Sequence, residues 1–248
     1  MKNAAITIHS QTSSPSLTRL IEFLQSCGVM VELCHDPSLI NYSPYFMFDE
    51  KLILLSEDLR ISYDWVKEFK THQKKKYSIH NEPFAKALGL KNKRNISLLD
   101  TSGGTGKDAI LAYSFGLSVD IYERNVDAFC LLACAFLRFR DSDCYNEQFP
   151  MNLKLGTLNA DVDLGHYDCV FFDPMYPQKK KKSAKARKEM ELFKEIIGPD
   201  DDADSYLEQL IHKHHYVVFK RPSFAPKLHK PSYSYEGRTT RYDIYRKV

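Results

Sequence analysis

From residue 96 onward the chain alternates short apolar runs with longer stretches in which apolar residues recur every three or four positions. Short continuous runs fit strands buried on both faces, and the longer pattern fits helices with one apolar face. The alternation therefore predicts an α/β domain built on a mostly parallel sheet covered by helices. The runs place strands at 96–100, 119–123, 153–157, 168–172 and 216–220, and helices near 107–115, 126–140, 184–197 and 203–213. Gly116 and the pair Gly198-Pro199 are natural helix stops, and the aspartates from Asp200 to Asp204 suit the positive N-terminal end of the following helix. The closing stretch "SYSYEGRTTRYDIYRKV" alternates aromatic and polar residues around Glu236-Gly237, which predicts an antiparallel hairpin at the edge of the sheet.

Residues 1–60 carry a separate pattern: "AAITIH", a helical period over 15–26, then "VMVELC" and "KLILLS". They predict a small N-terminal α/β subdomain, joined through a basic connecting segment, 61–94, to the main domain at 95–248.

Composition narrows the class without naming a function. With 43% hydrophobic and 27% charged residues among 248, the chain is an ordinary globular one. Its longest apolar stretch, "AFCLLACAFL", is too short to cross a bilayer, and the start lacks the apolar core of a secretory signal, so a cytoplasmic location without membrane contact is expected. Six cysteines form no CxxC pair, and "HKHH" at 212–215 lacks partners at ligand spacing, so no metal is expected. The net charge is only +3 but unevenly spread: lysines crowd 67–94 and 179–188. Such runs suit a polyanion, although a lysine run by itself is more often a solvated face.

The stretch "LLDTSGGTGKDAI" at 98–110 carries three glycines behind an apolar run. A phosphate-binding loop needs Gly, four residues, then Gly-Lys-Ser/Thr; here Thr101 stands at the first position and Asp108 at the last, so that pattern fails. Gly104-x-Gly106-x-x-Ala109 fits the dinucleotide fingerprint, with Glu123 about twenty residues on. Charge favours another ligand. Asp100 and Asp108 flank the loop and Glu123 and Asp173 fall at strand ends, all around one crevice, a poor site for pyrophosphate and a good one for a nucleoside carrying a cation. S-adenosylmethionine is such a ligand, with ribose hydroxyls and an amino group to donate and a positive sulfonium.

The second signal is "CVFFDPMYPQKKKK" at 169–182. Asp173-Pro174-Met175-Tyr176-Pro177 resembles the Asp/Asn-Pro-Pro-aromatic signature of methyltransferases acting on exocyclic amines, with Met175 in place of the second proline. The residue types fit the chemistry. A nucleobase amino group is a weak nucleophile because its lone pair is delocalised into the ring. Asp173 and the Pro174 carbonyl can accept its two N–H hydrogens while Tyr176 stacks on the base, an interaction contributing about 1–3 kcal/mol. Lys179, Lys180, Lys181 and Lys182 would then meet neighbouring phosphates.

Together "LLDTSGGTGKDA", "IYERN", the block from "FFDPMYPQKKKK" to "DSYLE", "VVFKRPSFAP" and "RYDIY" resemble the bacterial small-subunit (16S) ribosomal RNA guanine-N2 methyltransferase family known as RsmJ, over about residues 65–248. The resemblance implies a class I S-adenosylmethionine-dependent methyltransferase fold, Rossmann-like, with a seven-stranded sheet. It implies cofactor contacts at Lys107 and Asp108, where the family has Arg-Asp, at Glu123 and Arg124, at Thr157 and Leu158, where the family has Ser-Ser, and at Asp173. The glycines Gly104 and Gly106 complete the cofactor loop. Expected RNA contacts are Lys74, Lys75, Lys76, the lysines at 179–182, Lys220 and Arg221, and the expected partner is small-subunit ribosomal RNA or the 30S subunit. The residues alone leave open a transferase for adenine N6 or a protein amide, a noncatalytic RNA-binding assembly factor, and an NAD-dependent oxidoreductase.

Overall fold

The computed structural model describes residues 4–56, 59–75, 77, 79–93, 95–158, 162–175, 194 and 197–247. The described strands are β1 Ala4–His9, β2 Val29–Cys34, β3 Tyr45–Asp49, β4 Lys51–Ser56, β5 Leu59–Ile61, β6 Ser97–Asp100, β7 Ser118–Glu123, β8 Met151–Leu155, β9 Cys169–Phe172, β10 Tyr216–Pro222, β11 Tyr233–Glu236 and β12 Thr240–Arg246. The described α-helices are α1 Pro15–Ser26, α2 Trp65–Lys75, α3 Pro83–Ala87, α4 Lys107–Ser114, α5 Val126–Arg140 and α6 Ala203–Lys213. The chain divides into two compact units: Met1–Val66 with Asn125–Tyr145 and Lys179–Gly198, and Lys67–Arg124 with Asn146–Gln178 and Pro199–Val248.

In the first unit a five-stranded sheet runs in the order β2-β1-β3-β4-β5. β1 pairs in parallel with β2 and β3, and β3, β4 and β5 follow as an antiparallel meander. The Ser14 side chain accepts the Leu17 N–H at 3.2 Å and Pro15 occupies the first turn, so α1 starts where its capping signal lies. Its Phe23 ring stacks on Phe129 of α5 with centroids 6.4 Å apart. Eleven of the fifteen residues of α5 are buried, as its nearly unbroken apolar sequence requires. The pattern at 1–60 did not reveal β3 and β5: the turn between β3 and β4 contains no glycine or proline, and Glu50 takes it at φ 57°. Nor did it reveal α2 and α3 within the basic segment, because lysines surround the helical spacing of Trp65, Phe69 and His72.

The second unit holds the seven-stranded sheet, in the order β11-β12-β10-β9-β6-β7-β8. β10, β9, β6, β7 and β8 run parallel, while β12 is antiparallel to β10 and β11 to β12. This is the mostly parallel sheet that the apolar runs predict, with the antiparallel end that the alternation around Glu236-Gly237 predicts. β6 has β7 on one side and β9 on the other, so the strand order reverses there and a crevice opens beyond the carboxyl ends of β6 and β9. One face of the sheet buries Leu99, Val170, Phe172, Val217 and Phe219 against Leu207 and Leu210 of α6. The helix expected at 184–197 lies almost wholly outside the described residues.

Candidate active site at the strand switch

Two loops meet at the switch point. The first follows β6, and its Gly104 and Gly106 have φ of 55° and 74°. Gly106 caps α4 in the left-handed conformation, which side chains with a Cβ rarely adopt, so glycine is required there. The second loop, Asp173 to Met175, follows β9. Hydrogen bonds fasten one loop to the other: Thr101 N–H donates to the Phe171 carbonyl at 3.0 Å, and Asp173 N–H donates to Ser102 Oγ at 2.7 Å. Ser102 in turn donates its N–H and hydroxyl to Asp100 Oδ1, at 3.0 and 3.2 Å. Asp100 is buried, and that burial pushes its carboxyl up to about 8; the Ser102 N–H opposes the rise and the carboxylates of Asp108 and Asp173 add to it.

Lys220 on β10 reaches into the same place. Its Nζ donates to Asp108 Oδ2 at 2.6 Å and to Asp173 Oδ2 at 2.8 Å, joining the start of α4 to the loop after β9. Burial lifts Asp173 to about 6; the Lys220 ammonium pulls it down and Asp108 pushes it up. Burial alone would lower the lysine, but attraction to Asp173 and Asp108 prevails and holds it well above its ordinary value. The sequence reading put Lys220 and Arg221 on an RNA surface, and the structure places both elsewhere. Lys220 is committed to two carboxylates, while Arg221 is buried and donates to the Pro226 carbonyl. A basic dipeptide reads as surface until the end of its strand is known to lie at a crevice.

On the other side, Glu123 ends β7 with its side chain buried and its Oε2 accepting the Gly104 N–H at 2.6 Å. Arg124 turns away from Glu123 and pairs with Asp200 and Asp202, the latter at 2.8 Å. Asp200 also holds the second loop: its Oδ2 accepts the Met175 N–H at 2.5 Å, and its own N–H donates to the Met175 carbonyl at 3.2 Å. The sequence reading treated Asp200–Asp204 as a helix cap. Asp204 does lie in the first turn of α6, but Asp202 at the cap position makes no side-chain capping bond, and Asp200 and Asp202 serve Arg124. Nothing in local sequence distinguishes these uses of aspartate, since the partner is 76 residues away.

The other expected residues fall as follows. Lys107 is exposed at the first position of α4, Thr157 is exposed after β8, and Leu158 is buried in the core. Pro174 is buried beside Asp173. Lys74 and Lys75 are exposed in the last turn of α2. Tyr176, Lys76 and Lys179 to Lys182 lie outside the described residues. The site also contains Ser102 and Tyr242, which have no role in the sequence reading, and Asp200, which there is only a helix cap. The Tyr242 hydroxyl is raised by burial and by the nearby Asp108 carboxylate. Among the described residues no helix is long and apolar enough to cross a membrane, and no group of three or more His, Cys, Asp or Glu is placed to hold a metal ion.

Comparison with known proteins gives the arrangement its family. Residues 45–247 match the family model described as "Putative SAM-dependent methyltransferase". A protein of Thioalkalivibrio sulfidiphilus named ribosomal RNA small subunit methyltransferase J is 35% identical over 75% of each chain. One of the same name from Haemophilus influenzae (strain PittEE) is 32% identical over 96% of this chain and 97% of its own. The chain belongs to the ribosomal RNA small subunit methyltransferase J family. Its fold agrees with the crystal structure of a SAM-dependent methyltransferase from Neisseria gonorrhoeae, which superposes over 97% of this chain and 95% of its own with a TM-score of 0.73 at 22% identity.

As a methyltransferase J family member, the protein uses S-adenosylmethionine. The residues present fit that cofactor. Glu123 beside the glycine loop suits ribose hydroxyls, while Asp108 and Asp173 suit an amino group and a sulfonium. A pyrophosphate would meet these same carboxylates as repulsion, which disfavours the dinucleotide reading.

Proposed function

We propose that this protein methylates the exocyclic N2 amino group of one guanine in small-subunit (16S) ribosomal RNA, giving N2-methylguanosine, and that it acts in the cytoplasm on that RNA or on the 30S subunit. The observation that carries the reading is Asp173-Pro174 at the end of β9, tied by Lys220 to Asp108 at the start of α4. It puts a carboxylate and a backbone carbonyl beside the cofactor loop, where an amine must be aimed.

The bound cofactor supplies an electrophilic methyl carbon on a positively charged sulfur. The chain's own residues do the rest. Glu123 receives the ribose hydroxyls, Asp108 and Asp173 lie along the cationic portion, and the backbone of Gly104 and Gly106 shapes the loop. Lys107, Arg124, Thr157 and Leu158 complete the cofactor site. Asp173 and the Pro174 carbonyl accept the two N–H hydrogens of the target amine, which turns its lone pair toward the methyl carbon. On methylation the amine would lose one proton, and the Asp173 carboxylate that accepts its hydrogen would take it. Tyr176 stacks on the base, and Lys74 to Lys76 and Lys179 to Lys182 meet RNA phosphates. By sequence the chain is a small subdomain at 1–60, a connection at 61–94 and a methyltransferase domain at 95–248, with α5 of the last lying in the compact unit of the first.

The experiment is transfer from labelled S-adenosylmethionine to small subunits lacking the modification, followed by nucleoside mass spectrometry. A gain of N2-methylguanosine is expected. A gain of N6-methyladenosine, or label in protein, would reassign the acceptor.

A further inference from the structure

Between β10 and β11 the chain runs "SFAPKLHKPS", residues 223–232, with Phe224 near its start. The Phe224 side chain is 87% exposed, far more than Leu39 at 61% or Tyr42 at 45%. An exposed phenylalanine alone requires no explanation. This one is held in place by an unusual framework. The carbonyls on either side of it, Ser223 and Ala225, both accept from Arg241 Nη1, at 3.0 and 2.9 Å. Arg241 is itself buried and grips the fully buried Asp243 through two bonds of 2.8 and 2.9 Å. Arg221, also buried, holds the next carbonyl, Pro226. Ser223 N–H donates to Thr239 at 3.1 Å, and Ala225 N–H closes a turn onto Pro222 at 3.0 Å. Two buried guanidiniums and a buried carboxylate thus fix the backbone on both sides of a ring that touches little else.

The place and the surroundings suggest what the ring meets. β10 lies parallel beside β9, with Phe219 opposite Phe172, so the residue after each, Lys220 and Asp173, stands at the same end of the sheet. Phe224 follows Lys220 by four residues, a reach of at most about 14 Å along the chain. That bound keeps the ring within a few nucleotides of a target base held at Asp173. The exposed charges of this segment and of the adjoining hairpin turn are Lys227, Lys230 and Arg238 against Glu236, a cationic rim around an aromatic ring. A rigid aromatic surrounded by cations is the arrangement that binds a single-stranded nucleic acid, the ring stacking on a base and the cations meeting phosphates.

We propose that Phe224 stacks on a nucleotide flanking the target guanine, with Lys227, Lys230 and Arg238 on the adjacent phosphates. The inference rests on the RNA-methylating function above and adds to it a binding element that Lys220 and Arg221 do not supply. Phe224→Ala, Phe224→Leu and Phe224→Trp test it, assayed with unmodified small ribosomal subunits as the probe. Loss of the ring is expected to raise the KM for subunits roughly 5- to 150-fold in the Ala and Leu variants. The dissociation constant for S-adenosylmethionine should stay as it is in the wild type. The Trp variant should retain a KM near wild type. Its fluorescence should be quenched saturably by subunits, against the background of buried Trp65, the only native tryptophan. A KM unchanged in the Ala variant, or restored by Leu, would overturn the stacking. Should the wild type transfer no methyl to subunits, the assigned reaction fails and quenching in the Trp variant still decides the contact: saturable quenching supports it, and its absence overturns it.

Discussion

Lys220→Met removes the ammonium that Asp108 and Asp173 share while keeping most of the side-chain volume. At N···O distances of 2.6 and 2.8 Å, each attraction is about 6 kcal/mol gross at an effective dielectric constant of 20. Desolvation of the three groups offsets most of that. Removing one partner of a fully buried pair costs about 3–5 kcal/mol. Here the Lys220, Asp108 and Asp173 side chains keep 20, 23 and 32% exposure, so solvent screens what remains and about 3 kcal/mol is the better figure. For a chain of this size that lowers the thermal midpoint by about 6–12 °C. The loss must depend on pH. Asp173 is raised in the folded state to about 6, so its contribution to stability is complete below its unfolded pKa of about 3.9 and is lost as pH rises through about 6. Without Lys220 the ionised form is still less favourable, so the variant should fall further below wild type at pH 8 than at pH 5. Methyl transfer should respond too, because only ionised Asp173 accepts the amine hydrogens well: the wild-type rate should drop as pH falls through about 6, and the variant's acid limb should move upward. Thermal melts and rate profiles at both pH values check this. A variant that melts within about 2 °C of wild type at pH 8, or loses more at pH 5, would rule out this role for Lys220.

Substitutions at two other positions separate cofactor binding from amine alignment. Glu123→Ala removes the acceptor of the Gly104 N–H and the expected ribose acceptor; with charged hydrogen bonds contributing about 1.5–3 kcal/mol, the S-adenosylmethionine dissociation constant should rise roughly 10- to 150-fold by calorimetry. Asp200→Ala releases both the Met175 N–H and Arg124, so kcat should fall by about tenfold and cofactor affinity, through Arg124, by less; Asp200→Asn, which can still accept from Met175, should recover part of the rate in the same assay.

Features that depend on near neighbours were legible from the residues alone. Apolar runs such as "CVFF" mark strands buried within a sheet, and Gly104 and Gly106 mark the loop before a helix. The Asp-Pro-Met-Tyr-Pro stretch carries its chemistry in its own residue types. Local signals failed where a residue's partner lies far along the chain. Asp200 reads as a helix cap until Arg124 and Met175 come beside it, and Lys220 reads as a surface cation until β10 is set next to β9 and its side chain falls between two carboxylates. β3 was obscured by a turn without glycine, and α2 by the lysines that surround its three buried residues. Periodicity reports which face of an element is apolar; which end of a strand opens onto a crevice, and which charges meet there, is fixed only when the strand order is fixed.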